Sequence, residues 1–380
     1  MRDVAVLGVG MHAFGAHKGV PIATLVRAAG RAALADAGIS FAAVEAAYVG
    51  HMQSPPMKAV VWMKEFGLTG IPVTRVENAS ATGSVAFREA YRAVAAGWCD
   101  VAMAVGVEKF TDLTGAHVQS APRDIEATIL PAGFFAMWAQ RRMHERGTSS
   151  EQLARVAAKS WNNGARNPMS HRRPDHEVTA EEVLASRMIA EPLTAMMCCP
   201  VSDGAACAIV AAKDLARRLQ PDRPLVTVRA SVLRSETYTE GHAFLGAVVG
   251  PARMTADTAH EAYERSGIDP SDVDLVQVHD AFAIEELEYY ELLGICRPGE
   301  AEALVEAGAT ELGGRVPFST DGGLLARGHP GGPTGLAQIW ETVHQLRGTA
   351  RGRQVEGARI GLCHLVGGGS VCCIHLLARE

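Results

Sequence analysis

The sequence predicts an α/β fold made of two similar βαβ halves around a mostly parallel sheet. Short apolar runs alternate with helical patterns almost throughout the 380 residues. A stretch near the N-terminus recurs later in the chain at a constant offset, which indicates an internal duplication. Glycine is frequent, at 39 residues, and aromatic residues make up only 6%, a composition that suits closely packed layers. Strands that alternate with helices typically form a sheet covered on both faces.

The first half shows this alternation most clearly. The apolar run at 4–7 predicts a strand, and the spacing of apolar residues over 25–37 predicts a helix that stops at the glycine after it. A second apolar run, 44–49, predicts the next strand. The helix predicted over 85–96 and the strand predicted over 101–105 complete the series.

The middle third of the chain, about 114–200, is more polar and more helical than its flanks. The stretches 148–151 and 179–182 carry the Ser/Thr-x-x-Glu pattern that caps the start of a helix. We therefore expect an inserted loop domain at about 114–200. It lies within an N-terminal half of residues 1–220, and residues 221–380 form the C-terminal half.

The α/β pattern resumes after this insertion. Apolar runs predict strands over 204–211, 225–230 and 275–278. A helix is predicted over 336–346, directly after a glycine-rich stretch, and a last strand over 371–376. The second half therefore repeats the ingredients of the first.

Two internal echoes support a duplication. The segment 35–39 matches the segment 264–268, and the apolar positions that follow keep the same offset of 229 residues. A second echo pairs Thr82-Gly83 with Thr334-Gly335. Two similar halves predict pseudo-twofold symmetry, with the functional site where the halves meet.

Composition excludes several classes of protein. The net charge is −6, which gives no indication of nucleic acid as the main partner. The chain has no apolar run of about 18 residues, so we expect no membrane span, and we interpret its first residues as a strand rather than a signal peptide. The eight cysteines lack C-x-x-C spacing, which favours free thiols in the cytoplasm. The 14 histidines show no metal-ligand spacing, so we predict no metal.

Ser80 is the first candidate catalytic residue. It lies in a stretch of small residues, 76–83, where the chain enters the helix predicted over 85–96. A helix start presents free N–H groups and the positive end of the helix dipole, which favour a developing negative charge. Serine is also a favoured helix cap, so a purely structural role is the alternative.

Two histidines occupy similar positions in the second half. His279 directly follows the strand predicted over 275–278, at the carboxyl end, where α/β folds bind ligands. A structural histidine with satisfied hydrogen bonds is the alternative there. His329 lies on the glycine-rich stretch 322–335, before the helix predicted over 336–346. Few structural roles need so many glycines around one histidine, which favours function.

Three consecutive glycines, 367–369, precede the last predicted strand. Because glycine has no Cβ atom, their backbone N–H groups can approach an oxyanion closely. Gly368 and Gly369 are therefore candidate donors to a developing negative charge.

Taken in order, these segments resemble the thiolase superfamily, in particular the sterol-carrier-protein-type thiolases and the lipid-transfer-protein-like aldolases. The resemblance covers essentially the whole chain. It rests on 77–79, the His279-Asp280-x-Phe282 block, Gly328-His329-Pro330, and the strings 185–190 and 200–206. It implies a thiolase fold with five layers, α/β/α/β/α, a helical loop domain over the site, and a homodimer. It also implies a coenzyme A thioester as substrate and no tightly bound cofactor.

The resemblance implies a role for each candidate residue. In the family, a cysteine at the start of a buried helix is acylated, and the histidine of the Gly-His-Pro turn activates it. Those roles fall on Ser80 and His329. The histidine of the His-Asp-x-Phe block supports the thioester oxygen, a role that falls on His279. The N–H of Ser80 and the amides of Gly368 or Gly369 form the second oxyanion hole.

The chain departs from the family at the nucleophile. Serine stands at position 80 instead of cysteine, and the family's acid/base cysteine is also missing, because position 281 is alanine and position 365 is leucine. A serine needs a well-placed base, and the ester that it forms is a poor donor for remaking a thioester. Two histidines and two oxyanion holes can still stabilise an acyl-CoA enolate. The leading hypothesis is cysteine-independent retro-aldol cleavage of a 3-hydroxyacyl-CoA, or the reverse aldol reaction.

Two alternatives stay open. The chain could be an acetyl-CoA acetyltransferase or 3-ketoacyl-CoA thiolase in which Ser80 replaces the catalytic cysteine, a replacement that is also engineered to trap thiolases. It could also be a non-catalytic carrier of acyl-CoA or lipid. The identity of the acyl group and the direction of the reaction are open as well.

Further candidates lie outside the central motifs. Tyr289 and Tyr290 follow the His279 block with helical spacing, and one of them could transfer a proton, with a core or interface role as the alternative. Arg172 and Arg173 lie where the family places its CoA-binding loops and could meet phosphates, with a solvated loop as the alternative. Many bacterial relatives work beside a small zinc-ribbon and OB-fold partner, which adds a partner protein to the expectations.

Overall fold

The computed structural model describes residues 2–53, 57–112, 131–237 and 253–380. The prediction of an inserted loop domain at about 114–200 therefore falls in part on 114–130, which lies outside the described residues.

The described residues form eleven strands. They are β1 (Val4–Gly15), β2 (Ala46–Gly50), β3 (Val73–Val76), β4 (Val101–Lys109), β5 (Met188–Ala190), β6 (Leu193–Thr194), β7 (Asp203–Ala212), β8 (Val226–Ser235), β9 (Leu275–Gln277), β10 (Ile360–Gly367) and β11 (Val371–Arg379).

The same residues form twelve α-helices. They are α1 (Ile22–Ala37), α2 (Lys58–Met63), α3 (Thr82–Ala95), α4 (Pro131–Arg146), α5 (Ser150–Ala165), α6 (Ala180–Ala185), α7 (Lys213–Leu219), α8 (Met254–Ser266), α9 (Ala283–Leu292), α10 (Ala301–Glu306), α11 (Gly323–Ala326) and α12 (Gly331–Arg347). Each predicted helix and strand is present in the structure, most of them longer than the sequence pattern indicated.

Nine strands join in one continuous sheet in the order β3-β2-β4-β7-β1-β8-β11-β10-β9. The prediction of a mostly parallel sheet is wrong. Only β2 with β3, β2 with β4, and β9 with β10 pair in parallel, whereas β7 runs antiparallel to both β1 and β4. The connection from β4 to β7 passes through the insertion rather than through a single crossover helix, so it imposes no parallel return. In addition, an apolar run predicts a strand but carries no information on whether that strand pairs parallel or antiparallel with its neighbours.

The helices cover this sheet in layers. Helix α1 packs outside the strands of the first half, and α8 packs outside β8 and β11 in the second half. Helices α3 and α12 lie between the two sets of strands in a shared core. The result is the α/β/α/β/α arrangement that the resemblance implied.

The echo at 229 residues is structural as well as sequential. Helices α1 and α8 both end at a glycine in the left-handed conformation, Gly38 with φ 68° and Gly267 with φ 69°. A short 3-10 turn follows each, and strand β2 then begins at Ala46 and β9 at Leu275. A left-handed C-terminal glycine lets the chain leave the helix and re-enter the sheet without steric cost.

The second echo marks where the two central helices cross. A Cβ atom at Gly83 would lie 2.5 Å from the carbonyl oxygen of Gly332, and one at Gly335 would lie 2.2 Å from Oγ of Ser84. Glycine at these two positions therefore allows α3 and α12 to touch through their backbones. This contact brings the N-terminal ends of both helices together at the seam between the halves.

The stretch predicted as an inserted loop domain contains α4, α5 and α6 in its described part. The predicted cap at 179–182 is confirmed, because Oγ1 of Thr179 accepts a hydrogen bond from the backbone N–H of Glu182 at 3.2 Å. The other cap lies one residue later than predicted: Ser149 caps α5 and forms a reciprocal pair with Gln152. Thr148 is unavailable because its hydroxyl donates to Glu302 instead.

Candidate active site

A tight turn positions Ser80 at the seam. Ala79 adopts a left-handed backbone with φ 47°, which costs a non-glycine residue roughly 1–2 kcal/mol. Oε1 of Glu77 accepts from the Ala79 N–H at 2.7 Å, and Oγ1 of Thr82 accepts from the Asn78 N–H at 2.8 Å. These two bonds hold the strained turn in place. The N-cap residue of α3 is Ala81, and no side chain of the described residues caps this helix, so the alternative of Ser80 as a helix cap is wrong.

The hydroxyl of Ser80 is directed at His329. Their Oγ and Nε2 atoms are 3.0 Å apart. On the other side of the ring, Nδ1 lies 2.9 Å from Oγ1 of Thr334, which itself donates to the Pro330 carbonyl at 2.6 Å. Because the Thr334 hydroxyl donates its hydrogen to that carbonyl, it can only accept from the imidazole, and Nδ1 of His329 therefore carries a hydrogen. Nε2 is then the acceptor for the proton of Ser80.

The surroundings keep His329 uncharged. Burial lowers its pKa well below the usual value, and His279, whenever it is protonated, and the Arg327 guanidinium act in the same direction. A neutral imidazole with a free Nε2 lone pair is the form that can accept a proton from a hydroxyl. His329 also stays partly accessible to solvent, as does Ser80.

His279 lies beside this pair. Its ring centroid is 5.2 Å from that of His329, and the two rings are nearly perpendicular, at 89°. Nδ1 of His279 lies 2.8 Å from Oε1 of Glu285. Its Nε2 is buried and has no hydrogen-bond partner within the described part of the chain. The structure therefore brings the three predicted residues Ser80, His279 and His329 together.

Sequence reasoning missed both partners of the histidines. Glu285 is the third residue of α9, and its Oε2 accepts from the Phe282 N–H at 3.0 Å, as a capping residue does. That capping pattern was a signal for a carboxylate at this helix start. Nothing in the pattern indicated that its other oxygen faces His279. Thr334 was visible only as part of the Thr-Gly echo.

The triple glycine lies against the Ser80 turn. Gly368 and Gly369 form the turn between β10 and β11, with φ values of 57° and 76°. A Cβ atom at the preceding Gly367 would lie 2.2 Å from the carbonyl oxygen of Asn78. The close approach explains the glycines. Donation to an oxyanion by Gly368, Gly369 or the Ser80 N–H stays a prediction.

Two family models match nearly the whole chain. The model "Thiolase, N-terminal domain" matches residues 4–214, and "Thiolase C-terminal domain-like" matches residues 249–377. The chain belongs to the thiolase superfamily. The sheet and the central crossing of α3 and α12 described above are therefore those of a thiolase-superfamily member.

Three relatives from that superfamily are similar along most of the chain. An acetyl-CoA acetyltransferase of Methanothermobacter thermautotrophicus is 40% identical, covering 100% of both chains. The benzoylsuccinyl-CoA thiolase subunit BbsB of Thauera aromatica is 38% identical over 97% of this chain and 95% of that protein. Sterol carrier protein 2 of Gallus gallus is 36% identical over 99% of this chain and 72% of that longer protein.

Solved structures agree with the family assignment. The structure titled Ltp2-ChsH2(DUF35) aldolase superposes with a TM-score of 0.85 at 25% identity, covering 99% of this chain and 98% of that one. An acetyl-CoA acetyltransferase from Syntrophomonas wolfei has a TM-score of 0.74 at 18% identity, with 100% coverage of both chains, and supports the fold alone.

Cysteines lie close to this thiolase-type site, since the Cys199 N–H donates to the carbonyl oxygen of Ala281 at 2.8 Å. All eight cysteines are free, and burial raises the pKa of Cys199 and of Cys363 to about 12. Within the described ranges, no hydrogen bond joins a thiol to His279 or His329. Ala281 and Leu365 are buried at the two positions where the resemblance placed an acid/base cysteine.

The two tyrosines are both fully buried on α9. The Tyr289 hydroxyl donates to Oε1 of Glu285 at 3.3 Å, and the Tyr290 hydroxyl donates to Oε1 of Glu286 at 2.5 Å. Burial raises the pKa of both phenols well above their usual value, with the adjacent carboxylates adding to the effect. Tyr290 thus belongs to the polar core. Among the described residues, Glu285 connects Tyr289 to His279 by hydrogen bonds, and proton transfer by either tyrosine stays a prediction.

Arg172 is turned into the protein. Its guanidinium donates to the carbonyl oxygens of Cys198 at 2.7 Å and Leu325 at 2.9 Å, and it stacks on Trp161 with 4.7 Å to the ring centroid. These contacts tie the insertion to the loop that carries His329. Arg173 is exposed. Binding of CoA phosphates by Arg172 and Arg173 stays a prediction.

Two further surveys cover the described residues. Among them, no group of three or more His, Cys, Asp or Glu side chains is arranged to hold a metal ion. None of the helices in the described ranges is both long enough and apolar enough to cross a bilayer.

Proposed function

We propose that the protein cleaves or forms a carbon–carbon bond beside a CoA thioester through an enolate, without an acyl-cysteine. The favoured reaction is retro-aldol cleavage of a 3-hydroxyacyl-CoA, or its reverse. The observation that supports it is the buried Nε2 of His279, which has no hydrogen-bond partner among the described residues, while Glu285 contacts Nδ1 and a neutral His329 lies beside the ring. Retro-aldol chemistry needs a base for a hydroxyl and stabilisation of an enolate, and it needs no thiol.

The reaction balances with the groups at the site. Nε2 of His279 takes the proton of the 3-hydroxyl group, the C2–C3 bond breaks, and the released carbonyl compound forms. The bonding electrons move into the thioester as an enolate. The new imidazolium of His279 then donates its proton to C2, which yields the shorter acyl-CoA. Glu285 balances the positive charge on His279 while the enolate exists.

The tautomers refine the role that the resemblance implied for His279. With Nδ1–H directed at a carboxylate, neutral His279 presents a lone pair at Nε2 and cannot donate to a thioester oxygen. It becomes a donor only after it has taken a proton. Under this proposal, base and oxyanion donor are successive states of the same ring.

Incubation with a 3-hydroxyacyl-CoA tests the proposal. We expect a carbonyl product and a shorter acyl-CoA in equal amounts, with no free CoA required. His260→Ala, at an exposed position on α8, serves as the control variant. Cleavage that strictly depends on added CoA would contradict the proposal. Tight binding of the acyl-CoA without turnover would instead identify a carrier.

The second candidate is acyl transfer through Ser80. The 3.0 Å contact between Oγ of Ser80 and Nε2 of His329 favours it, because this is the geometry of an activated serine. Similarity to proteins named acetyl-CoA acetyltransferase adds support. Attack on the thioester carbonyl would release CoA and leave an acyl-serine. Intact mass spectrometry after exposure to acyl-CoA tests for this adduct, and Ser80→Cys would then gain thiolysis of acetoacetyl-CoA.

Assembly is a further part of the proposal. One relative is named as a subunit, and one similar structure is titled as an aldolase with a DUF35 protein. We propose a homodimer that also binds a small zinc-ribbon and OB-fold partner in the cytoplasm. Size-exclusion chromatography with light scattering, with and without the neighbouring gene products, measures both associations.

A further inference from the structure

Glu285 is the only carboxylate among the described residues that shares a hydrogen bond with either site histidine. It is buried, with 1% of its surface exposed. Three donors converge on it: Nδ1 of His279 at 2.8 Å, the Phe282 N–H at 3.0 Å and the Tyr289 hydroxyl at 3.3 Å. A carboxylate only accepts hydrogen bonds, so three donors suit its ionised form. Glu285 is thereby fixed in one orientation.

The position of Glu285 is set by the helix itself. Its Oε2 caps the start of α9, and its Oε1 is left to face the ring of His279. The two oxygens therefore perform separate tasks, one structural and one at the site. Because the capping bond holds the carboxylate in place, the ring of His279 is held as well, with Nε2 directed away from Glu285.

We infer that Glu285 is the positioning residue that makes His279 the base of the reaction. This inference rests on the proposed function and assigns one of its steps. The carboxylate selects the tautomer with hydrogen on Nδ1 and stabilises the imidazolium that forms when Nε2 takes a proton. His329, which has the hydroxyl of Thr334 behind it instead, has no such stabilisation.

Several titratable groups face His279 and enter its pH dependence. His329 approaches from the turn before α12, and His364 from β10, where burial and the charge of His279 lower its pKa well below the usual value. Asp280 is the next residue, and burial together with Glu286 raises its pKa well above the usual range. The shifts of these three neighbours all favour their uncharged forms. Glu285 is the carboxylate that contacts the ring of His279 directly, at Nδ1.

The substitution Glu285→Gln tests the inference. Glutamine keeps the shape and can keep the cap on Phe282, but it removes the negative charge. We expect kcat to fall about 10- to 100-fold with KM changed less than about threefold, a part of the roughly 10²- to 10⁴-fold that general-base catalysis contributes. In a plot of kcat against pH, the fall in rate on the acid side (the acid limb) should move to lower pH, because the His279 ring loses the negative charge that favours its protonation. Glu285→Asp should recover part of the rate.

Glu291→Gln is the matched control. Glu291 is a mostly buried carboxylate on the same helix, but it pairs with Arg142 rather than with a site residue. We expect its variant to lose stability while keeping the kcat and the acid limb of the original protein. Equal changes in the rate profile for Glu285→Gln and Glu291→Gln would overturn the inference, because they would reduce Glu285 to a structural role.

A spectroscopic readout separates this inference from the proposed function. In protein labelled with ¹⁵N-histidine, the Nδ1 signal of His279 should report a protonated nitrogen, and Glu285→Gln should shift its titration midpoint toward acid. This result is expected even if no 3-hydroxyacyl-CoA is cleaved, in which case only the proposed reaction fails. A His279 titration identical in the two proteins would overturn the inference, whatever the activity.

Discussion

The turn around His329 and the turn around His279 place two imidazoles in opposite electrostatic surroundings. Behind His329 stands a hydroxyl, that of Thr334, which is itself committed to the Pro330 carbonyl. Behind His279 stands the carboxylate of Glu285. The rings are only 5.2 Å apart, and both carry hydrogen on Nδ1, so the residues behind them make the difference.

This difference divides the work at the site. A hydroxyl fixes a tautomer but adds no charge, so His329 stays neutral and orients the proton of Ser80. A carboxylate also stabilises the protonated ring, so His279 can hold a proton during a reaction. The comparison teaches that two identical side chains acquire separate roles through one contact each.

The largest effect is expected from removing the imidazole that can hold the proton. His279→Ala should lower kcat for carbon–carbon cleavage about 10³-fold, because general-base catalysis contributes about 10² to 10⁴. Steady-state assay with a 3-hydroxyacyl-CoA measures it, with His260→Ala as the surface control. The comparison is with His329→Ala. If this variant lowered kcat for carbon–carbon cleavage as much as His279→Ala does, and changed the acid limb of the pH–rate profile to the same extent, the two rings would not differ as described.

The seam that holds the two turns together should be the next most sensitive feature. Gly335→Ala would place a Cβ atom 2.2 Å from Oγ and 2.5 Å from the backbone nitrogen of Ser84. Overpacking of this kind costs about 1–3 kcal/mol of unfolding free energy, measured by chemical denaturation. Gly15→Ala, where the nearest atom would be 3.4 Å away, is the control and should be nearly neutral. Equal stability of the two variants would contradict the close crossing.

A smaller effect on activity is expected from changing Thr334, the residue that contacts Nδ1 of His329. Thr334→Val keeps the shape but removes the acceptor of the Nδ1 hydrogen, so the ring loses its tautomer preference. We expect roughly a tenfold loss of any reaction that uses Ser80, with little change in the acid limb. Thr342→Val on the same helix, which removes only a contact to Cys363, is the control. A shift of the acid limb as large as that of Glu285→Gln would remove the contrast between the histidines.

The smallest effect concerns stability against pH. Burial lowers the pKa of His329 and His364 below the unfolded value of 6.5, so the unfolded chain binds protons first as pH falls. Their contribution to stability is intact above pH 6.5 and is lost below it, by at most about 1.4 kcal/mol per pH unit for each ring. Denaturation at pH 7.5 and 5.5 should show a flatter loss for His364→Gln. An unchanged slope would show that His364 titrates normally.

Much of the fold could be predicted because the duplicated elements are marked by residues that lie close together in the sequence. Helix ends at Gly38 and Gly267, and the strands that follow them, depend on residues within a few positions of each other. The direction of β7 could not be predicted, because it depends on a long connection through the insertion. The roles of Glu285 and Thr334 at the site could not be predicted for a related reason. Each side chain makes one hydrogen bond to a residue nearby in the sequence, and its contact with a site histidine forms only in the folded protein.

The amino-acid sequence by itself determined the duplicated α/β pattern, the family, and the identity of Ser80, His279 and His329 as the residues at issue. These follow from short-range spacing, which survives without knowledge of the folded chain. Only the tertiary structure decided the tautomer of each histidine, the pairing of His279 with Glu285, and the mixed direction of the sheet. Hydrogen-bond donors and acceptors are assigned by distance in space, and residues that lie 249 positions apart along the chain, as Ser80 and His329 do, meet only after folding.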